Sequence, residues 1–347
     1  MRAIHYSEYG QAPVLLDLPR PSCPNDGVVV QVAATGVCRS DLHAWKGHDP
    51  VPLPMVPGHE LAGIIDEVGP DVTRGRVGDR VTVPFVSGCG HCEVCGRGDA
   101  QVCPDQRQPG FTDNGSFAEF VALVAADTNL VAIPDGLDMV TAASLGCRFA
   151  TAFRALHVHG RVQPDDLVAI FGCGGAGLAA VMIAKALGAR IVAVDISDAA
   201  LAKAVKVGAD VAINSNTANP VAQIQDLGGA NVSIDALGRP ETARASVLSL
   251  RRRGRHIQVG LLLGEAANGA IPMDRVVAHE LEIYGSHGMP AAEYPAMLDL
   301  IASGALRPQD LIGATISLDQ AGEALMALDQ PATTVGMTVV EIPGVDA

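Results

Sequence analysis

Apolar positions follow two rhythms along the chain. Through the first 150 residues, short Val-rich runs alternate with polar positions and are cut by Pro, Gly, Asn and Asp, as in Val28-Val29-Val30-Gln31-Val32 and Arg80-Val81-Thr82-Val83. Successive side chains of a strand point to opposite faces, so this rhythm predicts a β-rich domain with many turns. From about Asp166 the pattern changes. Leu167 to Phe171 is an apolar run closed by glycines, an Ala/Leu-rich stretch reaches Leu187, and Arg190 to Asp195 is a second apolar run. Ser197 is a candidate N-cap for a helix over Asp198 to Val207. Further short apolar runs lie near 210–214, 231–235, 256–259 and 281–285, most separated by helix-compatible segments. Six strands alternating with helices predict a doubly wound parallel sheet, hence an α/β fold class. An amphipathic segment, Glu293 to Ser303, and a strand-like tail, Met337 to Glu341, follow. The tail is expected to rejoin the first domain. The predicted organisation is therefore a discontinuous domain over 1–150 and 286–347 around a second domain over 151–285.

Chemistry enters with the cysteines. Cys89, Cys92, Cys95 and Cys103 have the spacing C-x2-C-x2-C-x7-C in a segment that also holds Gly88, Gly90, Gly96 and Gly98. Short gaps turn the backbone so that sulfurs converge, and glycine permits the tight turns. Four converging thiolates suit a closed structural Zn²⁺ site, which would make residues 88–104 a zinc-held lobe. A pair of disulfides and an iron–sulfur cluster are the alternatives.

Gly172-Cys173-Gly174-Gly175-Ala176-Gly177 fits G-x-G-x-x-G between a predicted strand and a predicted helix. Gly172 allows the tight turn, Gly174 admits a pyrophosphate, and Gly177 lets helix and strand pack closely, while the helix N-terminus offers free N–H groups. Asp195, eighteen residues beyond Gly177, ends the next strand, where a carboxylate binds a ribose diol and repels a 2′-phosphate. No Arg or Lys occupies 196–198, so NAD is favoured over NADP. The alternative is a glycine turn that binds another nucleotide or none.

A second set of metal-ligating side chains is dispersed: Cys38, His59, Glu60 and Cys147. Two thiolates and a neutral imidazole balance Zn²⁺ and leave a fourth position open, as a catalytic site requires. Their spacing cannot by itself bring Cys38, His59 and Cys147 together. Cys23 and Cys173 fall outside both sets and read as spare thiols.

Composition narrows the partners. A formal charge of −14 argues against nucleic acid or an anionic membrane surface. The chain opens without a basic-then-apolar leader, and no run of about 18 apolar residues occurs. With eight cysteines read as ligands or free thiols, a cytoplasmic location is expected. Aromatics make up only 3% of the chain, so Trp45 and Phe85 near the motifs stand out.

Taken in order, Gly-Val-Cys-Arg-Ser-Asp-Leu-His at 36–43, Gly-His-Glu at 58–60, the four-cysteine lobe, Leu-Gly-Cys at 145–147 and the glycine turn with Asp195 resemble the zinc-dependent medium-chain alcohol dehydrogenases over essentially the whole chain. The resemblance implies a GroES-like catalytic domain and a Rossmann coenzyme domain, with two Zn²⁺ per subunit. It implies that Cys38, His59 and Cys147 hold the catalytic zinc, and that Glu60 lies close behind it. It further implies that Asp41 orients the zinc-bound histidine and that Ser40 and His43 carry the alcohol proton to solvent. By the same resemblance, Arg39 is expected to pair with the coenzyme pyrophosphate, Thr151, Val259 and Gly260 to contact the nicotinamide, and Trp45 and Phe85 to line the substrate pocket. Met289, just past the last coenzyme strand, is placed at the same pocket. One departure concerns Ala200, where many relatives have a lysine that holds the adenosine ribose; looser coenzyme binding is expected.

The implied reaction is reversible NAD-linked oxidation of a primary or secondary alcohol, with hydride leaving a zinc-bound alkoxide for the nicotinamide in a cleft between domains. Polyol, threonine or aldehyde-adduct oxidation on the same scaffold is the alternative, and Cys147 leans away from polyol relatives. A non-catalytic NAD(H)-binding protein is the alternative of another class. The chain's length resembles tetrameric more than dimeric relatives, so a homotetramer is expected.

Overall fold

The computed structural model of the chain describes residues 1–267, 271–330 and 335–344. The strands before residue 150 are β1 (Arg2–His5), β2 (Val14–Asp17), β3 (Val28–Val37), β4 (Glu60–Val68), β5 (Arg80–Thr82), β6 (Phe120–Leu123) and β7 (Val131–Ala132). Six follow in βα alternation: β8 (Leu167–Phe171), β9 (Arg190–Asp195), β10 (Val211–Asn214), β11 (Ala230–Asp235), β12 (Leu250–Gln258) and β13 (Glu282–Gly285). The last two are β14 (Ile312–Ser317) and β15 (Met337–Glu341). Among the described residues no helix is long and apolar enough to cross a membrane.

The chain forms two compact units. The first comprises Met1–Ala150, Gly288–Asp299 and the described residues from Ile312 onward. Its main sheet runs β14-β15-β3-β4-β5-β7, with β6 also on β3. β3 is central and buried nearly throughout, which is why Val28 to Val37 interrupts its apolar positions only at Gln31, Thr35 and Gly36 rather than at every second residue. It changes partner along its length: Val28 to Gln31 pair with β6, and Ala34 to Val37 pair with β15. Register shifts against β4 at Val29/Val30 and Val32/Ala34 bend the strand at that point. Tyr6, Leu61, Ile65, Phe117 and Trp45 are among the side chains of its core. A second cluster is built of small residues: Ala142 and Ala143 of helix Met139–Ala143 meet Ala34 and Ala62 of β3 and β4. That brings the segment after the helix close to the sheet.

The second unit comprises Thr151–His287 and Leu300–Leu311. Its sheet is all parallel, in the order β10-β9-β8-β11-β12-β13. Chain order reverses beside β8, so the loop after β8 lies at the switch point where open α/β sheets bind ligands. All five residues of β8 are buried, as a strand covered on both faces requires. The helix after it, Gly175–Ala186, buries most of its length and so shows no clean amphipathic stripe. Helix Asp198–Lys206 is capped by Ser197, whose hydroxyl accepts from the Ala200 N–H. Residues 300–311 depart from the sequence expectation, which put all of 286–347 in the first domain. Leu306 and Leu311 are buried, and the 3₁₀ turn Pro308–Leu311 lies against helix Gly175–Ala186.

Candidate metal and nucleotide sites

In the antiparallel pair β3–β4, Gly36 stands opposite Glu60. The residues just past one strand's end, Cys38 and Arg39, therefore meet those just before the other's start, Gly58 and His59. Cys147 arrives on the turn Leu145–Phe149 that follows the small-residue helix. The result is one group: a ligand atom from each of Cys38, His59, Glu60 and Cys147 lies within 4.8 Å of the other three, and all four residues are buried. Asp41, itself buried, organises the group. Its carboxylate accepts from the Cys38 N–H at 2.9 Å, the Gly58 N–H at 3.2 Å and His59 Nδ1 at 2.7 Å. With Nδ1 so engaged, His59 Nε2 is buried and without a hydrogen-bond partner among the described residues. A buried polar nitrogen left unpaired costs about 1–3 kcal/mol, a penalty that a metal ligated through Nε2 removes.

Arg148 was not singled out by sequence reasoning, although a cation directly after a candidate ligand is a usable signal. Its backbone N–H and Nε donate to Glu60 Oε1 at 3.1 and 3.0 Å, and its Nη2 bonds Glu60 Oε2. Burial pushes the Glu60 carboxyl up and the Arg148 guanidinium draws it back. Cys38 is held well below the ordinary thiol value, first by a hydrogen bond from Cys147 and then by Arg148. Gly36 makes the space, since a Cβ there would lie 2.1 Å from Glu60 Oε2. With Zn²⁺ bound, Cys147 would lose its proton and the charges would close: two thiolates against the dication, and Glu60 against Arg148. Two sulfurs and an imidazole nitrogen, with a carboxylate that is already engaged, fit Zn²⁺ with an open position. The His59 ring is flanked by Phe85 and by Phe111, at 6.0 and 5.3 Å between centroids; Phe111 is a second residue the sequence did not reveal.

The lobe brings the sulfurs of Cys89, Cys92, Cys95 and Cys103 within 4.8 Å of one another. All four are free thiols. The Cys89–Cys95 and Cys92–Cys103 sulfurs stand 4.0 and 3.7 Å apart, about twice a disulfide bond length. The Cys95 N–H donates to Cys92 Sγ and the Cys89 N–H to Cys103 Sγ, each at 3.4 Å. Backbone donors of this kind, first from His91, draw Cys89 down to about 6, whereas burial pushes Cys95 up to about 12. This donor set fits a closed tetrathiolate Zn²⁺ site. Asn129 anchors the lobe from outside: its side-chain amide exchanges two hydrogen bonds with the Gly88 backbone, at 3.0 and 2.9 Å.

In the second unit Gly172 sits at φ +96°, a conformation that suits glycine. A Cβ on Gly177 would fall 1.7 Å from the Gly172 carbonyl oxygen, so helix and turn touch only because it is glycine. Around Gly174 there is open space, and Gly175 begins the helix whose first N–H groups are free for a phosphate. Asp195 accepts from the Cys173 N–H at 2.6 Å and the Ser197 N–H at 2.9 Å, tying the glycine turn to the end of β9. Val259 and Gly260 both donate to the Asp235 carbonyl, and Gln258 holds the Gly260 carbonyl at 2.7 Å, which fixes that bend.

The remaining predicted residues are placed as follows. Ser40 Oγ lies 3.8 Å from Cys38 Sγ, and His43 is one turn further along helix Arg39–Trp45. Arg39 donates to the Leu328 carbonyl at 3.3 Å. Thr151 is buried in the second unit. Trp45 packs in the first unit's core, with its indole N–H on the Gln11 carbonyl at 2.6 Å. Phe85 stands beside His59 of the metal-ligating group, and a Cβ on Gly288, next to buried Met289, would meet the Phe85 ring at 2.9 Å.

Comparison with known proteins agrees with this geometry. The family model described as alcohol dehydrogenase GroES-like domain matches residues 24–135, and that described as zinc-binding dehydrogenase matches 175–303. An alcohol dehydrogenase of Geobacillus stearothermophilus is 36% identical over 335 residues, 95% of this chain and 96% of the relative. An NAD-dependent alcohol dehydrogenase of Sulfurisphaera tokodaii is 32% identical over 342 residues, 95% of this chain and 96% of the relative. Among solved structures, the alcohol dehydrogenase TADH from Thermus sp. ATN1 superposes with a TM-score of 0.91 at 28% identity, covering 99% of this chain and all of that one.

Proposed function

From its membership of the zinc-dependent medium-chain alcohol dehydrogenase family, we propose that the chain catalyses reversible NAD-linked oxidation of a primary or secondary alcohol to an aldehyde or ketone. The observation that carries the reading is the buried group of Cys38, His59, Glu60 and Cys147 with His59 Nε2 left without a partner. Cys38, His59 and Cys147 are the proposed ligands of a catalytic Zn²⁺, and the four lobe cysteines those of a structural one. When bound, the metal acts as a Lewis acid that makes a hydroxyl proton easier to lose, and the nicotinamide takes the hydride.

The chain's own residues do the rest. Asp41 fixes the His59 tautomer, so that Nε2 keeps its lone pair. Arg148 holds Glu60 by two side-chain bonds and one backbone bond, which keeps that carboxylate from occupying the open position. Phe85, whose ring packs on Gly288, contributes an apolar wall that excludes water from the reacting oxygen, and Met289, next along the chain, is assigned to the same pocket. Ser40 receives the hydroxyl proton and His43 passes it outward. Arg39 is free to exchange its carbonyl partner for a pyrophosphate oxygen. Gly172, Gly174, Gly175 and Gly177 seat the pyrophosphate, and Asp195 selects the unphosphorylated ribose. Thr151 and the Val259–Gly260 bend hold the nicotinamide. The first unit is thereby the GroES-like catalytic domain and the second the Rossmann domain. Eight free thiols support a reducing, cytoplasmic setting. Exposed Met273 and Val277 on helix Met273–His279 and exposed Ile283 on the edge strand β13 support self-association, which we read as a homotetramer.

The test is NADH formation by zinc-quantified enzyme over a panel of primary alcohols, secondary alcohols and polyols. Turnover is expected with NAD⁺ in preference to NADP⁺. Asp195→Ala should raise KM for NAD⁺ about tenfold, the worth of one ribose hydrogen bond, and narrow that preference. A zinc-replete protein that reduces NAD⁺ with none of the alcohols would sink the reading.

A further inference from the structure

The end of helix Arg39–Trp45 places a second imidazole on His43. Lys46 is the C-cap, and Gly47 follows at φ +72°, in the left-handed region. The Gly47 N–H donates to the Ala44 carbonyl at 3.0 Å, and the His48 N–H donates to the His43 carbonyl at 2.9 Å. These paired bonds are a Schellman closure, which folds the residue after the glycine back over the third residue from the helix end. The Asp49 N–H reaches the same carbonyl at 3.3 Å. Tyr9 backs the turn, since a Cβ at position 47 would meet its ring at 3.0 Å. An apolar pair commonly covers this spot. Here two histidines do so, with Nδ1 to Nδ1 at 3.3 Å and ring centroids 5.6 Å apart. His43 is half-buried and His48 is exposed.

We propose that His48 is a positioning residue that takes the alcohol-derived proton from His43 and delivers it to solvent. The inference rests on the reading that His43 carries that proton. The step balances without redox change. A proton arrives on His43 Nε2, the Nδ1 proton crosses to the Nδ1 lone pair of His48, and His48 releases its Nε2 proton to water. Burial, then His48 and Arg39, push the His43 pKa down, against opposing pulls from Cys38 and Asp49, which weakens its hold on an added proton.

The experiment compares wild type, His43→Gln and His48→Gln as zinc-loaded holoenzymes in single-turnover oxidation across pH, so that NADH release does not hide the proton step. His48→Gln is expected to slow the step about tenfold at the acid end and to move the midpoint of the pH profile. KM for alcohol and NAD⁺ should stay as in wild type, and added imidazole should restore the rate. If His43→Gln slows turnover and is rescued by imidazole while His48→Gln leaves the pH profile unmoved, the inference is overturned and the relay through His43 stands. If His43→Gln changes neither rate nor pH dependence, the relay itself fails and takes the inference with it.

Discussion

Cys89, Cys92, Cys95 and Cys103 come from a single loop and only Cys103 is fully buried, whereas Cys38, His59, Glu60 and Cys147 come from three distant segments and all are buried. The loop converges through its own glycines and through backbone N–H groups that bond the sulfurs, so almost everything it needs is local. The dispersed group converges only because β3 and β4 pair in one register and a helix of small residues lets the Cys147 turn approach. It also depends on two charged side chains that are not proposed ligands, Asp41 and Arg148. On the proposed reading the loop would exchange conformational entropy for metal binding and so be held by its metal. The dispersed group is held by the fold, which would allow a position on the proposed metal to stay open for chemistry.

That contrast is broken or sharpened most strongly by removing one sulfur from each. Cys38→Ala should cost turnover on the order of 10³-fold or more, because several kcal/mol of Lewis-acid stabilisation disappear. Its thermal unfolding should stay near wild type, since the surrounding sheet does not depend on that ligand. Steady-state kinetics and a thermal melt on the same sample read both effects. A Cys38→Ala protein that unfolds many degrees early would mean that the dispersed group is structural as well. Cys95→Ala should do the reverse, lowering the melting temperature by several degrees while the fraction still folded keeps its turnover per active site. A melt identical to wild type would remove the distinction from the other side.

The same contrast sets what could be read from sequence. The lobe was legible because its spacing and glycines lie in one stretch, as were β8, β9, β15 and the Ser197 cap, which follow from local alternation and turn chemistry. From the residues alone, the dispersed group was legible only as a list of candidate ligands. Its convergence depends on the β3–β4 register and on the Ala34, Ala62, Ala142 and Ala143 contact, neither of which leaves a mark at short range. The family resemblance supplied the grouping that spacing could not. Arg148, Phe111 and Asn129 went unseen for a related reason. An arginine, a phenylalanine and an asparagine are ordinary residues until the fold points them at Glu60, His59 and the Gly88 backbone. Residues 300–311 were misplaced because Leu306 and Leu311 announce burial but not against which unit.

The finest test of the contrast leaves every proposed ligand in place. Asp41→Asn keeps the shape of the side chain and one oxygen acceptor but removes the charge that orients His59. Its amide cannot accept from the Cys38, Gly58 and His59 donors together as the carboxylate does. Partners of this kind raise ligand basicity and fix the ring, and their loss typically costs 10–100-fold in metal affinity or activity. We expect Asp41→Asn to release one zinc per chain at a chelator concentration 10–100-fold lower than wild type, with activity falling in step. The lobe zinc should come off at the wild-type concentration, since no lobe hydrogen bond involves Asp41. Metal content and residual turnover, followed together through the chelator titration, separate the two. Parallel loss of both metals would show that the dispersed and local groups are coupled through the fold rather than held by separate means.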